Sequence, residues 1–318
     1  MAFAEGNQNM KSYLFLLLPV LALSLFSCKR NDGGEGTTVT PGTGYRTLEE
    51  ALVSAAPKMR TSGLIIATGD TVYCAGGTRI MIPPNGFETL TGGRVTGSIN
   101  VSYQDWILKG DMVYGHVLPI SYGVPLATSG QAFLSATQNG VPLRVSKDTE
   151  VVFQFPQYLM PQPSTQFGWT GRTMVSATNI VNWLPLGDKG KLRPVILSDS
   201  VNLIADTLGY VAASGAFPGP DRITFNVRVN SPAQLESSLA VALYTGVRSV
   251  YPLPAVSNGR ILATGIPQAP MHIAVMGINK GVFYGGIVSV PSPGADSTYQ
   301  VNLLSTDPAK FRLDMNAL

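Results

Sequence analysis

The sequence predicts a mostly β protein made of two β-sandwich domains, the second Ig-like or transthyretin-like, with one short N-terminal helix. Three observations carry this reading. Charged residues make up only 13% of the 318-residue chain, while Gly (34) and Pro (23) are plentiful; soluble domains usually carry ~25% charge, and this balance favours short strands and frequent turns. Runs rich in Val, Ile and Thr recur at the roughly 8–12-residue spacing of sandwiches and barrels. Asn139-Gly140 separates two such runs, the strongest short signal for a tight hairpin. A hydrophobic content of 45% with a net charge of +3 argues against disorder, which needs low hydrophobicity and high net charge.

The first distinctive segment is Tyr13–Phe26, fourteen residues without a charge. It is too short to span a ~30 Å hydrocarbon core as a helix but matches a secretory h-region, with Lys11 as a minimal positive flank. Met10 directly precedes Lys11 and is the expected start, residues 1–9 being an extension. The segment ends Leu25-Phe26-Ser27-Cys28, which resembles the bacterial lipobox. Residues 1–27 then form a lipoprotein signal peptide, and Cys28 is the lipidation site. Phe26 is bulkier than the usual residue at its position. Several acyl chains on one residue hold a protein stably at a bilayer, where one chain alone is marginal. The Gly/Thr-rich residues 28–45 are a flexible tether with a reach of roughly 20–25 Å. The expected location is lipid-anchored at the outer membrane, on its periplasmic or cell-surface face.

The body begins with Thr47-Leu48-Glu49-Glu50, an S/T-x-x-E capping box. Leu48, Ala51, Leu52 and Ala55 follow at helical spacing and Pro57 closes the pattern, giving a helix over 48–56 that packs on the first sandwich. Strands are expected at 63–67, 71–74, 78–82, 97–103, 112–117, 132–136, 141–145 and 150–155. The first domain is therefore 46–156. Residues 157–221 carry Pro161, Pro163 and Pro185 and read as an irregular bridging β segment, with strands at 192–197, 200–204 and 207–213. The second domain, 222–318, has strands at 223–229, 239–244, 260–264, 272–277 and 282–290, and an edge strand at 298–304. No solenoid-type repeat is present.

Several stretches carry a family resemblance: Ile82-Pro83-Pro84-Asn85-Gly86-Phe87, Val95–Val101, Lys109-Gly110-Asp111-Met112, Ser129–Phe133 with Ala136–Gly140, Leu208-Gly209-Tyr210 and Asn279–Val288. Together they resemble envelope lipoproteins of Bacteroidota whose N-terminal sandwich is similar to the domain shared by zonula occludens protein, netrin receptors and ankyrins. The resemblance spans roughly residues 46–290. Its motifs are turn and strand motifs, so it implies architecture and location and no chemistry. Tyr210 stands where that family usually has Trp. The His-Phe-Ser self-cleavage site of one metazoan relative is not matched, since His116 is followed by Val117 and Leu118. Lys29 and Arg30 depart from the acidic surface-export signal of such lipoproteins.

Little in the sequence points to catalysis. There are two histidines, His116 and His272, and no H-E-x-x-H, C-x-x-C, G-x-S-x-G or P-loop pattern. No metal or cofactor is expected. Without Lys/Arg runs longer than two, nucleic acid is not an expected partner either. Cys74 reads as a buried small hydrophobe. Asp70-Thr71, Asp199-Ser200, Asp206-Thr207 and Asp296-Ser297 match a short Bacteroidota O-glycosylation pattern but are also ordinary turn pairs.

The leading expectation is a membrane-anchored, non-enzymatic binding or scaffolding module for a protein or glycan of the envelope. The alternative is a glycan-binding accessory lipoprotein. Trp and Tyr offer flat apolar faces with polar edges to sugars, which makes Trp106, Tyr158, Phe167, Trp169 and Trp183 the candidate contacts. A third reading is a hydrolase using a carboxylate pair among Asp105, Asp111, Asp188 and Asp199.

Overall fold

The computed structural model describes residues 44–157, 165–174, 179–185, 192–219 and 221–318. Cys28, Tyr158 and Asp188 lie outside the described residues, as do the expected signal peptide and most of the expected tether. The described chain is mostly β.

Two sheets form the first sandwich. The larger contains β1 (Arg60–Ile65), β4 (Phe87–Thr89), β5 (Ser98–Trp106), β6 (Ile120–Ser121), β7 (Val124–Gln138), β8 (Val141–Val145), β10 (Phe167–Thr173), β11 (Val181–Pro185) and β14 (Gly209–Ala216). Its main order is β1-β5-β7-β14-β10-β11. The smaller contains β2 (Asp70–Tyr73), β3 (Arg79–Ile82), β9 (Val151–Pro156), β12 (Arg193–Ile196) and β13 (Ser200–Ala205), ordered β12-β13-β9-β3-β2. Alternation dictates the inner faces. Val151, Phe153 and Phe155 of β9 point inward with Ile99 and Val101 of β5, and with Leu203, Ile80 and Leu134 they form the first core. Gly130 lets Phe155 close over β7, because a Cβ there would meet the ring at 2.2 Å. The β7–β8 hairpin turns at Asn139 and Gly140, with φ of 51° and 79°, the left-handed pair that a type I′ turn requires.

Residues 157–221, set apart in the sequence as a bridge, supply β10 to β14. These strands pair into both sheets of the first sandwich, so the segment belongs to that sandwich.

The second sandwich packs β15 (Arg222–Asn230), β18 (Arg260–Pro267) and β21 (Thr298–Asn302) against β16 (Ser237–Tyr244), β17 (Val250–Leu253), β19 (Met271–Asn279), β20 (Val282–Val290) and β22 (Leu304–Ser305). The sheets are ordered β18-β15-β21 and β17-β16-β19-β20-β22. The expected edge strand is β21, which pairs in parallel with β15.

Between the sandwiches lies a third apolar core. β16 and β19 are covered on both faces, which is why they read as unbroken apolar runs. Ala240, Ala242, Ile273 and Val275 face the second sandwich's interior, while Leu239, Val241, Leu243, Ala274, Met276 and Ile278 face this seam. Three helices fill it: α1 (Leu48–Ala55), α2 (Lys109–Tyr114) and α3 (Pro308–Asn316). In α1 the Thr47 hydroxyl caps Glu50 N–H at 3.1 Å, and Leu48, Ala51, Leu52 and Ala55 are the buried face. The helix packs into the seam, so its apolar stripe serves the junction as well as the first sandwich.

Two helices were not foreseen. The strand expected at 112–117 is replaced by α2 and the turn after it. Every residue of α2 is buried, so it has no polar face to reveal a helical period, and a short apolar run is ambiguous without one. Its Gly110 admits α3 closely, since a Cβ would meet Arg312 O at 2.3 Å. Asp111 then pairs with Arg312 at 2.7 Å and accepts from Asn316 Nδ2 at 2.9 Å. The signal for α3 is present in the sequence: Asp307 is its N-cap and Pro308 occupies the first turn, a standard start.

Candidate functional site

Strand ends from five separate segments meet in a cleft of about 810 Å³ at one end of the first sandwich. The start of β7 contributes Val124, Pro125 and Leu126, and the start of β10 contributes Gln166, Phe167 and Trp169. Pro185 ends β11, Leu192 to Pro194 lead into β12, and Ala216, Phe217, Gly219 and Arg222 follow β14 into the second sandwich. The volume falls within the ~300–1,000 Å³ typical of ligand sites.

Local packing fixes the walls. Gly168 is a close-approach position, where a Cβ would lie 2.3 Å from Leu192 Cβ. Phe167 and Trp169, two residues apart on one strand, share a face. Trp169 is held by donating its indole N–H to Ser214 O at 2.9 Å, while Phe167 is 53% exposed. Phe217 rests on Tyr244, with ring centroids 4.4 Å apart, so the second sandwich supports one wall. Leu126 and Leu192 are buried behind the aromatics.

Among the described residues the lining contains no Asp or Glu. Its charges are two exposed guanidiniums. Arg193 pairs with Glu150 at 2.7 Å, and Arg222 donates to Gly265 O at 3.3 Å. Prolines 125, 185 and 194 remove main-chain N–H groups from three sides.

The other candidate aromatics lie elsewhere. Trp183 is fully buried in the seam and donates to Leu118 O at 2.9 Å. Trp106 is 3% exposed and stacks on Tyr210 at 5.8 Å. Neither presents a face to solvent, so neither contacts a ligand in this fold. Both follow from the same cause: the outer face of the large sheet is roofed by the helices and the second sandwich. Phe167 lies beyond that roof, and Trp169 stands at its edge, half-buried against the seam core. The residues that sequence reading missed are Val124, Leu126, Leu192, Phe217, Arg193 and Arg222, which have no mutual spacing in the chain to reveal them.

Of the candidate carboxylates, Asp105, Asp111 and Asp199 fall among the described residues, each in a hydrogen-bonded setting of its own. Asp105 is buried and accepts from Gly76 N–H at 2.9 Å and Thr78 N–H at 3.0 Å. Burial pushes its carboxyl upward, outweighing the hydrogen bonds donated to it. Asp111 is engaged by α3, and Asp199 accepts from Ser200 Oγ at 3.0 Å. None of these lines the cleft. Cys74 is buried, and burial drives its thiol well above its ordinary range.

His116, with φ of 53°, sits in a separate hollow of about 450 Å³, its Nε2 3.1 Å from Glu49 Oε2. Burial, and next the charge of Lys109, lower the pKa of His272. No group of three His, Cys, Asp or Glu side chains with metal-binding geometry occurs among the described residues, and no described helix is long and apolar enough to cross a membrane.

No family model matches this chain, and no curated protein does.

Proposed function

We propose that the protein is an envelope lipoprotein, held at the outer membrane through Cys28, that acts as a non-enzymatic binding module. The cleft lined by Phe167, Trp169 and Phe217 is its binding site. One observation carries the choice of site: the 810 Å³ concavity brings an exposed aromatic and a half-buried tryptophan together, with no carboxylate among its described lining residues. Such a lining can hold an apolar ligand. The anchor rests on the h-region and on Leu25-Phe26-Ser27-Cys28, together with the resemblance to Bacteroidota envelope lipoproteins.

The glycan-binding alternative retains Phe167 and Trp169, which share the cleft, and loses Trp106 and Trp183, which are core. A sugar carries a hydroxyl on nearly every carbon and needs a matching set of polar partners. Among the described residues, Gln166, Arg193 and Arg222 are the only charged or amide side chains in the lining.

Two experiments test this reading. Mass spectrometry of the membrane fraction is expected to find an acylated N-terminus at Cys28, and Cys28→Ser should move the protein to the soluble fraction; an unmodified soluble wild type would refute the anchor. A photoreactive phenylalanine analogue at position 167 should crosslink an envelope component in cells, while the same analogue at Leu304, 70% exposed on β22, should not. Equal labelling from both positions would remove the cleft from the proposal.

A further inference from the structure

We infer that the cleft takes a single-chain amphiphile with an anionic head group, a class that includes fatty carboxylates and alkyl phosphates. This rests on the reading of the cleft as the binding site and names what fills it. The apolar chain would lie along Phe167, Trp169, Phe217, Leu126 and Leu192. The head group would meet Arg193 and Arg222 at the mouth.

Three features of the lining favour this class. The first is charge: among the described residues, two cationic side chains and no anionic one border the cavity. The Glu150 that pairs with Arg193 stands outside the lining, and an exposed ion pair of this kind contributes little, so an anion can replace it at little cost. The second is the identity of the walls. Aromatic, aliphatic and proline side chains dominate, a surface that hydrocarbon satisfies fully and a sugar does not. The third is the backbone. An extended peptide gains affinity and register from main-chain hydrogen bonds to its receptor, and Pro125, Pro185 and Pro194 withhold N–H donors on three sides of this cleft. An acyl chain needs none.

Calorimetric titration of the full chain carrying Cys28→Ser tests the assignment. The titrants are sodium octanoate, sodium decanoate, 1-decanol and decyltrimethylammonium, each below its aggregation concentration. Each buried methylene is expected to tighten binding roughly three- to fourfold, so decanoate should bind about tenfold tighter than octanoate. Decanol should bind at least fivefold more weakly than decanoate, and the cationic amphiphile more weakly still. Phe167→Ser should weaken the whole series. The double variant Arg193→Gln/Arg222→Gln should bring decanoate to the level of decanol and leave decanol unchanged. Leu304→Ser, remote on β22, should change nothing.

Equal affinities for decanol and decanoate would overturn the anionic assignment while leaving the cleft as an apolar site. Binding indifferent to Phe167→Ser would place the amphiphile elsewhere and overturn the inference. No binding of any titrant would also overturn it, with the crosslinking result at position 167 still deciding whether the cleft binds something else. Flotation with phosphatidylglycerol vesicles separates the two sources of such a ligand. Vesicle binding without uptake of monomeric decanoate would assign recognition to the bilayer surface and overturn the pocket.

Discussion

The seam and the cleft are both built on the large sheet of the first sandwich, and they treat aromatic residues in opposite ways. In the seam, Trp183 is fully buried with its indole N–H bonded to Leu118 O. In the cleft, on the adjacent strand β10, Phe167 is half exposed and Trp169 is half-buried, its indole N–H bonded to Ser214 O. The difference is cover. Helices α1 to α3 and the seam-facing side of β16 and β19 roof one part of the sheet and stop short of the strand ends around β10. An apolar side chain under the roof contributes to stability, and one beyond it is left for a ligand. The contrast orders the expected effects of substitution.

The largest effect falls in the seam. Trp183→Ala should cost roughly 3–5 kcal/mol of unfolding free energy, read as a fall in the urea midpoint; a loss below about 1 kcal/mol would mean that the seam is loosely packed.

Lys109 is buried in the same junction and donates to Tyr244 O and Leu318 O. Burial, aided by the charge of Arg248, lowers its amine from 10.5 to about 8. Between pH 8 and pH 10.5 the unfolded chain therefore holds a proton that the fold has released, and this lysine's contribution to stability rises with pH across that window. Below pH 8 the burial cost stands in full. Raised groups oppose it, since Cys74 and Tyr244 are held neutral by burial and lose stability as alkali ionises the unfolded chain. The measurement is thus a difference. Relative to Lys109→Met, the wild type should gain roughly 3 kcal/mol from pH 8 to pH 10.5. A flat difference would contradict the burial of the amine.

Arg248 reaches from the β16–β17 turn into the first sandwich. It donates to Ser129 O at 2.6 Å and Pro156 O at 3.2 Å, and its own carbonyl accepts from Thr128 N–H at 3.0 Å. Arg248→Met should cost roughly 1–3 kcal/mol by leaving buried carbonyls without their donor. Thermal melts that separate into two transitions would show that it also couples the two sandwiches.

The smallest effect belongs to the cleft. Phe167→Ser should change stability by no more than about 0.5 kcal/mol, because the ring is already 53% exposed. A large loss would mean that Phe167 is structural, and the contrast between the two regions would collapse.

How legible each region is in the chain follows the same division. Six strands of the second sandwich fall where alternating and apolar runs place them, because each run carries its own period; β17 and β22 are too short to show one. The tail helix is legible too, through Asp307-Pro308. The helix at 109–114 is not, because burial on all sides leaves no periodic contrast between faces. The cleft is half legible. Phe167 and Trp169 stand out as an aromatic pair, but Phe217 and the two arginines join them only through strand register. Three other residues, Leu126, Leu192 and Val124, carry no mark that distinguishes them from core.

The sequence by itself determines what depends on neighbours a few residues apart: the left-handed Asn139-Gly140 turn, the Thr47 cap of α1, the inward face of β9, and the mostly β class that follows from many such short elements. Tertiary structure alone decides which face of a sheet is covered twice. A strand's residues cannot encode whether a second sandwich will arrive on its outer side, because that depends on contacts more than a hundred positions away, such as Arg248 with Ser129 and Lys109 with Leu318. For that reason three tryptophans of the same chemistry have two fates here, Trp106 and Trp183 in the core and Trp169 at the wall of a cleft.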